Sequence, residues 1–448
     1  MPYLNPAGVA GLPNDVLAVS ASVYAYSKSS FNGFFHPQGF AQGYGQVDIT
    51  DESVSSKNIL ELPSSVMYVK HLGRTGSVEH VAALSLVIPV AGRFDIQGSY
   101  SAHSTGIMGT DAENRAVSQA TTDYYLGPSY AVSFGKSLRI GASVYAVYGR
   151  SVVTQQLTAS TMPLGGAVPL GIRGLHSSQY ESLSLVPVLG MQVQPIQRLW
   201  AGLGIAAPGT PISGNVRSSN QRSGTTADVA TSQPIAFEEG EAFEGNRKVS
   251  QPLRINFGLA WEEPDVWAVA ADVHWYAPRD GASRTDGLVH LTRSRTGETA
   301  RVVAQDFSSS FDMIGVFDLS VGGEVWLSRM IAIRAGVLTD RADTPDLGDT
   351  TDLGELYRQR LDRYGATLGV GIQAGSFDST VGAFYMRGAG KIVVPDTTSD
   401  QAQTSTALHG VPIDMTTNTF GVILSTAVTT DEAASTIRNT LPTPGGAR

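Results

Sequence analysis

The side chains able to do chemistry in this chain are few and widely spaced. Eight His and no Cys occur among 448 residues, so thiol nucleophiles, thiolate metal sites and disulfides are excluded. A serine hydrolase needs Ser, His and an orienting polar group in one place. His80, the one His expected on an outward strand face, has no Ser partner at strand spacing. His274 shares the opposite, inward face with Asp272, a pairing that suits a braced interior better than catalysis. No His-Glu-x-x-His site, Gly-x-Ser-x-Gly elbow or complete phosphate-binding loop is present. The glycines from Gly369 to Gly375 have a dinucleotide-loop look but lie inside an alternating strand with no helix after them. Asp340, Asp343, Asp346, Asp349, Asp352 and Glu355 offer hard oxygen ligands of the kind Ca²⁺ takes. Their order is not that of an EF-hand, and a solvated loop over 340–355 accounts for them without a ligand. The expectation is no enzyme, no cofactor and no metal.

A second set of charges alternates with apolar residues. Arg139, Arg254, Arg334 and Arg363, with Glu79, Asp272, Asp318 and Glu324, fall on faces otherwise made of small residues such as Gly141, Ser143, Ser182, Ser184, Gly202, Gly204, Gly365, Thr367, Gly369 and Gly371. Arg139, Arg254, Asp272, His274, Glu324, Arg334 and Arg363 are therefore the polar candidates of an enclosed lumen. Charges of both signs there either brace the wall as pairs or guide a carboxylate.

The elements that must position these residues are strands. Two-residue alternation recurs in segments near the length of a tilted membrane strand, about 9 to 11 residues. One face carries Leu17, Val19, Ala21, Val23 and Ala25; others carry Leu138 to Tyr148, Leu253 to Trp261, Trp267 to Trp275, Ile331 to Val337, Tyr364 to Ile372 and Phe420 to Val428. Each is expected to face lipid. Short links near 73–77, 135–137, 195–198, 262–265, 328–329 and 375–377 alternate with long polar connections near 31–55, 91–121, 151–179, 209–250, 278–310, 341–361 and 395–416. Short turns on the periplasmic side and long loops outside are the pattern of an outer-membrane barrel. The pattern predicts an all-β fold, a transmembrane antiparallel β-barrel of about fourteen strands over 16–429, with 1–15 ahead of it and a polar tail over 430–448. Residues 93–101 could form a further strand; because that would break the even count, they are assigned to the second long loop.

Composition agrees. Charged residues make up 16% and hydrophobic ones 42%, with 49 Gly, a low charge content for a soluble protein of this size. No stretch reaches the ~18 apolar residues of a membrane helix. A net charge of -9 without a basic run argues against nucleic acid as a partner. Tyr124, Tyr130, Phe134, Trp261, Trp267, Trp275 and Trp326 fall near strand ends, where amphipathic rings favour the headgroup layer. A soluble sandwich or propeller would share the alternation but seldom alternates tight turns with such long loops.

Several segments together resemble the FadL-type family of outer-membrane transporters for long-chain fatty acids and aromatic hydrocarbons. Asn5-Pro6-Ala7-Gly8 ahead of the first strand looks like the Asn-Pro-Ala motif that ends that family's N-terminal hatch. Leu62-Pro63-Ser64-Ser65-Val66-Met67-Tyr68, followed by Ala83-Leu84-Ser85-Leu86-Val87-Ile88-Pro89, is similar to its second and third strands. Pro252 to Trp261 and Trp267 to Trp275 are similar to its strand nine to ten hairpin. The resemblance implies a hatch remnant over 1–15 centred on Asn5, Pro6 and Ala7, with most of the hatch absent ahead of Asn5 and the chain either processed or starting upstream. It also implies a lateral opening at a kinked third strand, where Pro89 has no N–H to pair. The family tends to end on an aromatic residue, whereas here a polar tail follows Phe420 and its strand.

The expected function is passive uptake of hydrophobic compounds such as long-chain fatty acids or aromatic hydrocarbons. Capture would fall to apolar residues on the second long loop, Phe94, Ile96, Ile107 and Met108, unless these pack on one another. A general diffusion porin for small polar solutes and a surface-binding barrel with a sealed lumen are the alternatives. The partners implied are outer-membrane lipid and lipopolysaccharide, a hydrophobic small molecule and the barrel assembly machinery.

Overall fold

An extended chain is the one conformation that puts successive side chains on opposite faces, so alternating apolar and small residues select strands. In the computed structural model, which describes residues 2–35, 47–60, 65–104, 110–162, 170–227, 234–349, 357–396 and 409–430, fourteen strands form a closed antiparallel barrel. β1 is Val16–Phe31, and β2 is assembled from Val47–Ser55, Lys57–Leu60 and Ser65–Thr75. β3 to β6 are Val78–Ser104, Thr110–Phe134, Leu138–Met162 and Leu170–Ile196. The next four are each broken once: β7 (Leu199–Ala206, Thr210–Ala227), β8 (Pro234–Val249, Arg254–Glu263), β9 (Trp267–Tyr276, Arg279–Arg295) and β10 (Arg301–Met313, Val316–Trp326). β11 to β14 are Ile331–Asp340, Gln359–Ala374, Phe377–Asp396 and His409–Thr429. Pairing of β1 with β14, from Val16 with Thr429 to Phe31 with Met415, closes the sheet on itself.

Large apolar side chains stand exposed on all fourteen strands, from Leu17 and Val19 on β1 to Phe420 and Leu424 on β14. Together they make the belt that a bilayer covers. Tight turns close one end. Gly76, Gly135 and Gly375 supply positive φ there, and Arg198 and Asp265 adopt φ of 75° and 60° in the same role.

At the other end the structure corrects the expected loops. Residues 93–101 are not a loop but the upper part of β3, which pairs with β4 as far as His103 with Thr110. Most of 151–179, 209–250 and 278–310 is likewise strand. β3 to β6 run to 27, 25, 25 and 27 residues, against the ~9 to 11 that one crossing requires. These upper halves keep their alternation, but apart from residues such as Leu175, Leu288, Val302 and Val303 their exposed side chains are mostly polar or small, and so they read as loop. A bulge between Val87 and Val90 also reverses the phase of β3. Ser85 and Val87 face inward below it, and Ile96 and Tyr100 above it, so one strand looks like two. β1 has a similar shift between Ser22 and Tyr24. Ala25, expected to face lipid, is consequently turned inward at 0% exposure.

Candidate functional site in the lumen

The lumen is occupied first by residues 3–12. Pro6–Gly11 forms a short 3-10 helix capped by Asn5, whose Oδ1 accepts the Ala7 N–H at 3.1 Å; Pro at the first helical position needs no N–H partner. Asn5 Nδ2 donates to the Met191 carbonyl at 3.1 Å. Inward-facing Gly141, Gly190, Gly202 and Gly204 make a groove for this strap. A Cβ on Gly141 would lie 2.6 Å from the Pro6 carbonyl carbon, and those on Gly190 and Gly204 would collide with Asn5 and Leu4. Val9 and Ala10 pack on Val69, Val81, Ala83 and Ala131. Asn5, Pro6 and Ala7, read from sequence as a motif, are thus held against the wall.

Several lumen candidates meet this strap. Arg254 donates to the Tyr3 carbonyl at 2.6 Å, its guanidinium 4.0 Å from the Tyr3 ring centroid. Asn256 donates to the Leu4 carbonyl at 2.9 Å, and Arg139 lies 4.0 Å over Trp200 while reaching Gln192. His274 Nδ1 hydrogen-bonds Asn256 Oδ1 at 2.9 Å and also interacts electrostatically with Asp272 on the same face. Elsewhere Arg334 meets Glu324 at 3.0 Å and Asp378 at 3.6 Å, and Arg363 meets Asp340 at 3.0 Å. His80 is joined to Tyr130 at 2.6 Å on the outer face.

Where the strap leaves the lumen, Asp15 is buried against β2. Its carboxylate accepts the His71 N–H at 2.7 Å and contacts Lys70 Nζ and His71 Nδ1, while His71 Nε2 faces the Leu12 carbonyl at 3.0 Å. Burial opposes the charge, but the His71 N–H and the Lys70 ammonium outweigh it and hold the carboxyl at about 2. A carboxyl depressed in the folded state contributes stability that is full above its unfolded value, about 4, and is lost as pH falls through the folded value. Asp15→Asn should therefore be less stable than the parent near neutral pH and converge with it below about pH 2. Urea unfolding in detergent across that range tests this; a gap that persists undiminished at the acid end would remove the charge from the explanation.

Above the strap, Tyr3 stands edge-on to Tyr125 and Tyr145 at 5.0 and 6.2 Å, in an apolar cluster with Val87, Val147, Val186 and Val188. This fills the lumen beside β3 to β7. Higher still, the inner faces of β5 to β10, with Gln119 of β4 and Asp343, Thr344, Tyr357 and Arg358 from between β11 and β12, line a partly open cavity of about 880 Å³. Val216, Phe243, Val289, Leu291 and Phe307 form its apolar wall. Beside it, under the outer rim, Phe34 and Phe35 pack with Tyr100, Val117, Leu361, Ile392 and Met415 into a lid. Arg115, only 1% exposed, is paired with Glu113, donates to the Phe34 carbonyl at 2.9 Å and lies over both rings. Burial pushes the Tyr357 phenol in this lid up to about 12.

The expected capture residues fall differently from their prediction. Ile96, 2% exposed, belongs to the lid, and Phe94 packs against it; neither is an exposed loop residue, because the β3 extension turns them inward. Ile107 and Met108 lie outside the described residues, as do Asp352, Glu355 and the tail beyond 430. Among the described residues no group of acidic or His side chains forms a metal cage. Pro89 sits in the bulge. β2 pairs with β3 through 65–75 below and 47–55 above, and among the described residues no backbone pairing joins 88–96 to β2. Sequence reasoning missed Tyr3, Phe34, Phe35, Arg115 and the cavity; adjacent Phe34 and Phe35 in a polar connection were the available signal.

The crystal structure of a Pseudomonas aeruginosa FadL homologue is similar over 95% of this chain and 92% of that one, with a TM-score of 0.53 and 15% identity. The Ralstonia pickettii toluene transporter TbuX is similar over 95% and 92%, with a TM-score of 0.46 and 14% identity, and the Pseudomonas putida toluene transporter TodX over 95% and 92%, at 0.45 and 10%. The first of these likenesses shows the fold, which is that of the FadL-type barrels. No family model and no curated protein sequence matches the chain.

Proposed function

We propose that this barrel is a bacterial outer-membrane channel through which hydrophobic compounds pass without an energy source, taken into the upper cavity and released sideways between β2 and β3. The observation that carries this reading is the bulge of β3 at Pro89: among the described residues 90–96 pair with β4 alone, and Pro89 has no N–H to offer β2, in a wall that must otherwise satisfy every backbone group in lipid. Below that level Tyr3, held by Arg254, packs on Tyr125 and Tyr145 inside the lumen, which narrows it and disfavours a wide polar pore. Phe94 and Ile96 would line the inner edge of the slit, and Ile107 and Met108 remain the proposed outer capture residues. Long-chain fatty acids and aromatic hydrocarbons are the classes that the resemblance implies. A sealed surface-binding barrel would not need the slit.

Vesicles containing the protein, compared with empty ones, should take up labelled toluene or a labelled long-chain fatty acid faster and remain tight to a small sugar. Pro89→Val, which supplies the missing N–H, is expected to slow hydrophobic uptake several-fold, since one recovered hydrogen bond contributes about 1 kcal/mol, while leaving assembly unchanged. Sugar leakage alone would favour a porin.

A further inference from the structure

On the outer face of β12, β13, β14 and β1 the apolar belt ends in rings. Tyr26, Phe420 and Tyr385 share one row across β1, β14 and β13, and Tyr364 of β12 stands one row higher, beside Arg387. Phe420, Tyr385 and Tyr364 are about half exposed. Phe377 to Tyr385 is about one crossing from the tight turn at Gly375, so these rings mark the outer headgroup level. Directly above them the row reads Lys28, Asn418, Arg387, and Lys391 follows two outward positions further along β13. All four residues are exposed. Among the described residues no ion pair joins Lys28, Arg387 or Lys391 to a carboxylate. The carboxylates nearest by register are Asp414, opposite Lys391, and Asp362, opposite Ala389; Asp362 accepts the Ala342 N–H at 3.0 Å. Arg360, also opposite Lys391, is already held by Asp346. Other outward cations above the belt differ: Arg150 is opposite Glu181 and Arg217 lies 3.7 Å from Glu244.

We propose that this face holds a phosphorylated glycolipid of the outer leaflet, of the lipopolysaccharide class, with its acyl chains along Leu368, Val381 and Leu424 and its phosphates on Lys28, Arg387 and Lys391. Cations without a protein partner at headgroup level are matched by lipid phosphate, to which Lys offers a point charge and Arg a planar fork. The Tyr385 hydroxyl donates to Asn418 Oδ1 at 2.7 Å, which leaves Nδ2 as a neutral donor between Lys28 and Arg387. Those two backbones are about 10 Å apart across β14, and Lys391 is about 14 Å beyond Arg387 along β13. One phosphate cannot bridge that span; a disaccharide head phosphorylated at both ends can. The inference concerns the lipid-facing wall and does not depend on what passes through the lumen.

The test is native mass spectrometry of the full chain in non-ionic detergent, with graded additions of diphosphorylated lipid A and of the same lipid stripped of its phosphates. The parent should bind the phosphorylated lipid about a hundredfold more tightly, about fivefold for each cation engaged. The triple variant Lys28→Gln, Arg387→Gln, Lys391→Gln should lose that preference while binding the stripped lipid as the parent does and keeping the unheated gel mobility of a folded barrel. Exchanging Lys for Arg and Arg for Lys at the same three positions should preserve it, and Arg217→Gln with Arg284→Gln should leave it intact. Millimolar inorganic phosphate should not displace the lipid. Equal binding of both lipids by the parent, an equal loss in the Arg217 and Arg284 variant, or displacement by inorganic phosphate would each overturn the inference and leave hydrophobic passage standing.

Discussion

Replacing Gly141 by leucine is expected to drive the N-terminal strap out of its groove while the wall stays closed. The position faces the lumen between Ala131 and Gly190 in the ladder, so a side chain there touches no lipid and breaks no strand pairing. It does meet Pro6 and Ala7 through their backbone atoms, at 2.6 and 2.7 Å, which cannot swing aside as a side-chain tip could. Overpacking of this kind costs about 1–3 kcal/mol, a factor of about 5 to 150 in the bound fraction of the strap. The absence of Cys from the chain makes the measurement clean, because Ala7→Cys would be its one thiol. That thiol, at a fully buried position, should label slowly in the parent and fast in the Gly141→Leu background, with a parallel rise in sugar leakage. Unchanged labelling would mean that the groove does not hold the strap.

The second large effect is expected at the lid. Arg115→Met leaves Glu113 buried, at 5% side-chain exposure, without the guanidinium that it faces. Breaking a buried pair from one side costs about 3–5 kcal/mol, whereas replacing both partners by apolar residues of similar size is often neutral. Arg115→Met alone should therefore release Phe34 and Phe35 and lower resistance to urea, and adding Glu113→Leu should restore most of the loss. Thermal and urea unfolding of the two variants decide the matter. Equal destabilisation by single and double changes would point to the cation's contacts with the Phe34 carbonyl and rings rather than to the ion pair.

The membrane-spanning part of this fold was legible because lipid imposes one rule on every strand. Leu138 to Tyr148, Trp267 to Trp275 and Tyr364 to Ile372 alternate without a break, and each lies in the belt as expected. Legibility failed where the surroundings changed. Above the belt, Leu157 to Ser160 on β5 and Arg217 to Gln221 on β7 are strands with water outside them, and water does not require an apolar face. It failed again at the bulges of β1 and β3, where one extra residue moves every later side chain to the other face, as with Ala25 and Ile96. The lumen charges were found as a set, but not their partners. Arg254 meets Tyr3 from 251 positions away, and no spacing in the sequence encodes a contact made only when the barrel closes. The glycines of the groove were visible as small residues; that they fit a returning piece of backbone was not.

The uneven height of the wall bears on the direction from which a solute arrives. β11 has ten residues, about one crossing, while its distant neighbours β3 to β6 continue as a screen of paired backbone well above the headgroups. Among the described residues the strands are accordingly of uneven length, with β11 short beside β10, whose two parts are Arg301–Met313 and Val316–Trp326. An oily or amphiphilic solute that has already partitioned among the outer lipids can approach that short strand by diffusing in two dimensions, without first returning to bulk water. Recruitment would then scale with how much solute the leaflet holds rather than with how much is dissolved, a concentration that for sparingly soluble compounds is far the greater of the two.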